Sequence, residues 1–147
     1  MTPSPTPTPT PGGCTLTQGF WKNHPEEWCI EEVQLGERVY TKDEALQILH
    51  QPVQGNGLVA LAHQLIAAKL NIECNGSDDS CIHSNITHAD ALIDDLVVPP
   101  IGNGYLDPNV VAQDVMMLDD YNNGRLSCAM HCDDKRDLPF PDNPWQP

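Results

Sequence analysis

Positive charge is what this chain has least of. Over 147 residues, 7 Lys and Arg stand against 21 Asp and Glu, for a formal charge of −14 and a pI near 4.4. A nucleic-acid backbone would be repelled by such a surface, so no nucleic-acid partner is expected. Calcium, cationic surfaces or plain solubility suit the acidic balance. Long hydrophobic runs are missing too: no stretch approaches the roughly 20 apolar residues that a helix needs to span a bilayer. No signal peptide is visible, because Met1 opens directly onto Thr-Pro repeats. A secreted form would have lost its leader or carry it outside these residues. Catalytic signatures are also lacking. There is no Gly-x-Ser-x-Gly elbow, phosphate-binding glycine loop, HExxH or paired CxxC. These gaps point away from an enzyme.

What is present divides into three parts. Residues 1–13, MTPSPTPTPTPGG, have a proline at nearly every second position, which favours an extended polyproline II stalk. Thr2, Ser4, Thr6, Thr8 and Thr10 lie between the prolines, a composition that reads either as an O-glycosylated stalk or as a bare spacer. Residues 133–147 form a second Pro-rich tail, with Pro139, Pro141, Pro144 and Pro147. Phe140 and Trp145 on that tail have nothing local to pack on, so they are candidate partner-binding anchors for a groove on their own domain or on a neighbour. Residues 14–132 hold the foldable part, enough for one modest core.

That part reads as all-α: a small, disulfide-braced helical domain around one buried central helix, with the Pro-rich tails extended. Gly57 to Asn71, GLVALAHQLIAAKLN, is proline-free and rich in strong helix formers. Leu58, Leu61, Ala62 and Leu65 make one apolar stripe, and Val59, Ile66 and Leu70 another. Apolar surface nearly all round predicts burial on most faces. His63, Gln64 and Lys69 break it, and each needs a partner if buried. Lys69 would snorkel to the surface or pair with an acid of the last helix, such as Asp119 or Asp120.

Around that helix, Thr17 caps a turn over Gln18–Asn23, and Pro25 suits the first position of another. Phe20, Trp21 and Trp28 should fold back onto the centre. Val33 to Tyr40 alternates weakly and reads as extended, without insisting on a sheet. Thr41 and Glu44 have capping-box spacing before a helix ending near His50 and stopped by Pro52. Cys74 to Asn85 reads as a polar loop closed by a Cys74–Cys81 bridge. Thr87 and Asp90 repeat the capping-box spacing and predict a helix through Ala89, Leu92, Ile93 and Leu96, ended by Pro99 and Pro100. Asp107 then caps a helix with Pro108 at its first position, and Gly124 terminates it.

Six cysteines, Cys14, Cys29, Cys74, Cys81, Cys128 and Cys132, favour disulfides and an oxidising compartment. Asn75-Gly76-Ser77 and Asn85-Ile86-Thr87 are N-glycosylation sequons in the expected loop. Calcium is the candidate cofactor, although none is required. Asp94, Asp95, Asp107, Asp119 and Asp120 are its candidate ligands, with Asn and Gly-rich carbonyls nearby. The other reading of those carboxylates is a solvated acidic face with helix caps, and no EF-hand repeat occurs. A zinc site would want three or four ligands in a known spacing, which the histidines do not offer; His63 is expected to donate to backbone or carboxylate in the core.

Four stretches in order, CTLTQGFWKNHPEEW, GNGLVALAHQLIAAKLN, HADALIDDLVVPPIGNGYLDP and LDDYNNG, resemble a family of secreted bacterial cell-surface domains of undefined function. Its members resemble C-T-x-T-Q-G-[FY]-W-K-N-H-P modules behind Thr/Pro linkers, and the likeness spans about Cys14 to Cys132. The resemblance implies an extracellular or cell-surface location and a Cys14–Cys132 bridge, but no reaction. With Cys74–Cys81 closed locally, Cys29–Cys128 would remain. The expectation is an extracellular structural protein, glycosylated and joined to copies of itself through its tails in a fibre or surface layer. The alternative is a stalk-mounted, calcium-dependent module binding carbohydrate or protein.

Overall fold

The computed structural model describes residues 14–132. The expected stalk and C-terminal tail, with Thr2, Ser4, Thr6, Thr8, Thr10, Phe140 and Trp145, lie outside the described residues. Five helices carry the fold: α1 (Gln18–Asn23), α2 (Lys42–His50), α3 (Gly57–Asn75), α4 (His83–Ile93) and α5 (Pro108–Asn122). Four short strands accompany them, so the fold is mostly helical and not strictly all-α. β1 (Cys14–Thr15) pairs in parallel with β4 (Met130–His131); β2 (Glu32–Leu35) and β3 (Arg38–Thr41) make an antiparallel hairpin.

The helix starts follow local chemistry. Thr17 accepts from Phe20 N at 3.2 Å to open α1. Thr41 and Glu44 form both halves of a capping box at α2, at 3.1 and 3.0 Å. Asn56 accepts from Leu58 N at the head of α3, and Asp107 from Asn109 N before Pro108 of α5. Gly76, at φ +66, ends α3 in the left-handed conformation.

Residues on every side of α3 are buried, including Leu58, Leu61, Leu65, Ile66 and Leu70. Its most extensive neighbour is α5, which contributes Val111, Val115, Leu118 and Tyr121 to the same core. Each such side chain, fully buried, favours folding by about 1.5–3 kcal/mol. α1 lays Phe20 and Trp21 against the core, and Trp28 donates its indole N–H to Trp21 O at 2.9 Å.

Several expectations need correction. The weakly alternating Val33–Tyr40 stretch is extended, as expected, and the sheet left open for it is present as the β2–β3 hairpin, turned at Gly36 with φ +64. A Cβ at Gly36 would run into the Asp94 carbonyl and Ile93 Cγ2, so glycine is required twice over. α4 begins at His83, not at Thr87, and ends at Ile93, not Leu96. Thr87 and Asp90 are therefore mid-helix, and Asp90 faces the hairpin instead of capping. The chain leaves α4 at Asp94 (φ +48), whose carbonyl accepts from Glu37 N at 2.8 Å. α3 also runs past Asn71 into the stretch read as loop.

The cysteines pair as Cys14–Cys132, Cys29–Cys74 and Cys81–Cys128, and none is free. The local Cys74–Cys81 closure and the Cys29–Cys128 pairing are thus overturned. Cys74 belongs to the last turn of α3, where it meets the segment after Trp28. Past Gly76 the chain is tied down by Tyr121 Oη donating to Asp78 O at 3.0 Å, next to Cys128.

Candidate functional site

The residues offered as calcium ligands lie at three separate places. Asp94 and Asp95 follow α4 beside the hairpin turn. There the pKa of Glu37 is raised, because its protonated carboxyl donates to the Asp94 carboxylate and the charges of Asp94 and Asp95 disfavour a third carboxylate. Asp107 caps α5. Asp119 and Asp120, at the far end of α5, flank Arg125 at 3.8 and 3.2 Å. Among the described residues no group of three or more His, Cys, Asp and Glu side chains could hold a metal ion, so the proposed calcium site is not assembled.

Both sequon asparagines are engaged. Asn75 sits at the end of α3 and donates to Cys14 O at 3.3 Å; Asn85 lies inside α4, not in a loop, and donates to Asp114 Oδ1 at 2.9 Å. Attaching a glycan to either folded amide would displace these bonds.

Lys69 does not pair with Asp119 or Asp120. Its ammonium meets Asp90 at 2.9 Å and Gln34 O at 2.6 Å, joining α3 to α4 and β2. His63 is buried and bonds through Nε2 to Ile48 O at 2.7 Å. A carbonyl only accepts, so Nε2 carries the proton. Burial, only partly opposed by that bond, lowers the His63 pKa to about 4.

A polar cross-link that no sequence motif marks joins α4 to α5. Asp114, 3% exposed, holds His88 Nδ1 at 2.5 Å and the Asn85 amide. The signal was present: Asp114 falls on the α5 stripe of Val111, Val115 and Leu118. A charge on a buried stripe requires partners.

Among the described residues a groove of about 430 Å³ lies between β2, the C-terminal half of α3 and the start of α4. Ile30, Val33, Ile72 and Ile86 supply its apolar lining, while Glu32, Glu73 and Asp79 line it with carboxylates. Lys69 adds little positive charge because Asp90 neutralises it. The groove meets a more open hollow of about 640 Å³ at Ile30 and Glu32, where Glu31 and Asp43 extend the acidic border. Apolar lining with an acidic border suits a cation carried on an apolar body, such as a segment mixing Lys or Arg with aromatics. His83 also lines the groove, with Nδ1 3.5 Å from Asp79 Oδ2. The chain matches no family model, no curated protein and no solved structure.

Proposed function

We propose that this chain is an extracellular structural protein of a cell surface or fibre, whose disulfide-closed domain is the body and whose two arms make contact with other copies. The observation that supports this best is the joining of the two ends of the domain. Cys14 and Cys132 are bridged with Cα atoms 5.0 Å apart, and β1 pairs with β4 beside them. Both arms therefore start from one closed point on a braced body. Three disulfides fit an oxidising exterior. No helix among the described residues is long and apolar enough to cross a membrane. The resemblance of the four sequence stretches to secreted surface domains supports the same location.

The acidic groove is the receiving surface in this reading. The C-terminal arm carries Phe140 and Trp145, which suit the apolar lining, and Lys135 and Arg136, which suit its carboxylates; Asp133, Asp134, Asp137 and Asp142 leave the arm net negative, so the aromatics carry the contact in this reading. An arm from one copy seated on the groove of the next is a heterologous contact, which propagates as an open filament. Glycans on the threonines of the other arm would shield the assembly.

Sedimentation velocity and electron microscopy of the full chain, across a range of concentration and with chelator, test this. The expected result is concentration-dependent oligomers or filaments that survive chelation and are lost in the Phe140→Ser/Trp145→Ser variant. A monomer at every concentration would contradict it.

A further inference from the structure

We infer that the Cys14–Cys132 bridge is a load bypass: tension applied between the two arms runs through one disulfide, and the helical domain hangs beside the line of force. This goes beyond the self-association reading and does not depend on it. Force entering along the N-terminal arm reaches the folded body at Cys14, and force leaving along the C-terminal arm departs from Cys132. The shortest covalent path between them is the two sulfurs, not the 118 residue steps of chain. Without that path, the load would shear the two-residue β1–β4 ladder, including the Cys132 N to Thr15 O bond at 2.9 Å. It would then reach the Leu16–Asn71 bonds and the core.

The other two bridges do not share this role. Cys29–Cys74 and Cys81–Cys128 close separate loops side by side within the outer one, with sequence separations of 45 and 47. They limit how much chain can be released if the outer bridge opens. Removing those spans from 118 leaves 26 residue steps free to extend, or about 90 Å at roughly 3.3–3.6 Å per residue. Opening all three bridges frees all 118 steps, about 400 Å by the same measure. The arrangement is also redox-gated. A dithiol such as dithiothreitol takes the two sulfurs to thiols and is itself oxidised to its cyclic disulfide, and the load then passes to the fold.

Single-molecule pulling of the full chain, held by its two termini, reads this directly. The oxidised protein is expected to stretch its arms and release no further length. Adding dithiothreitol under load should release about 400 Å in total. The Cys14→Ser/Cys132→Ser variant should be about 90 Å longer than wild type at high force, whether or not it folds, because its inner bridges still hold. Cys29→Ser/Cys74→Ser lies inside the outer loop and should be as inextensible as wild type. Length released from the oxidised wild type, or from the Cys29→Ser/Cys74→Ser variant before reduction, would overturn the inference. So would a Cys14→Ser/Cys132→Ser variant no longer than wild type.

Discussion

Where α3 faces α5 and the β1 segment, its polar residues are amides; where it faces α2, the hairpin and α4, they are an imidazole and an ammonium. On the first side Asn71 Oδ1 accepts from Leu16 N at 2.8 Å and Trp21 Nε1 at 3.2 Å. Its Nδ2 donates to Leu16 O and to Asn122 Oδ1, and Asn122 in turn donates to the Gln64 side chain and carbonyl. On the second side His63 holds Ile48 O, while Lys69 holds Asp90 and Gln34 O. Amides keep the same charge at every accessible pH, so the side beneath the joined ends is held by groups that do not titrate. The other side answers to acid and salt. Under changing pH and salt the domain would thus loosen around α2 and the hairpin before it loosens at Cys14 and Cys132.

The largest effect should come from Asn71→Leu. It strips partners from a buried backbone N–H and carbonyl, an indole and an amide at once, each costing about 1–3 kcal/mol when left unmet. Such losses are not additive, and a drop on the order of 4 kcal/mol in urea unfolding is expected. A change under about 1 kcal/mol would mean the amide cluster does not hold the β1 segment.

Acid should act next, and on the other side. His63 has its pKa lowered to about 4 in the folded state, against about 6.5 when unfolded. Below pH 6.5 the unfolded chain therefore takes up a proton that the folded chain refuses. The stability present above that pH is lost as pH falls toward 4, about 3 kcal/mol in all. His63→Gln, which keeps a donor for Ile48 O, should flatten that part of the pH profile of denaturant midpoints. An unchanged slope would assign the acid sensitivity elsewhere.

Lys69→Met should cost only about 1 kcal/mol, because the pair it breaks is partly exposed, at 18% and 29% for the two side chains. Raising salt should shrink the difference from wild type, as it would not for Asn71→Leu. Thr15→Val should be smallest and of opposite sign. The Thr15 hydroxyl is buried without a partner, so an isosteric methyl should stabilise by up to about 1 kcal/mol in thermal melts.

These contrasts also mark what the sequence could disclose. α1, α2 and α5 were legible because Thr17, Thr41 and Asp107 cap through bonds to residues two or three positions ahead. α4 was not, because Asp90 imitates a capping-box acid while its partners, Gly36 N and Lys69, are distant in sequence. The hairpin was faint for the same kind of reason: four-residue strands carry little pattern, and Gly36 is fixed by a contact with Asp94 that no local rule predicts. Cys74 and Cys81 look like a local pair by spacing, yet the last turn of α3 carries Cys74 to Cys29. The groove was hidden because its lining is gathered from β2, α3 and α4.

Peptide mapping of the unreduced full chain reads the bridge pattern on which the closed body, the joined ends and the load path all rest. Trypsin combined with Asp-N, and with cyanogen bromide at Met130, places the six cysteines on separate peptides. Cys14 should be linked to Cys132, Cys29 to Cys74 and Cys81 to Cys128. Free thiols, or a Cys74–Cys81 link leaving Cys29 joined to Cys128, would contradict it.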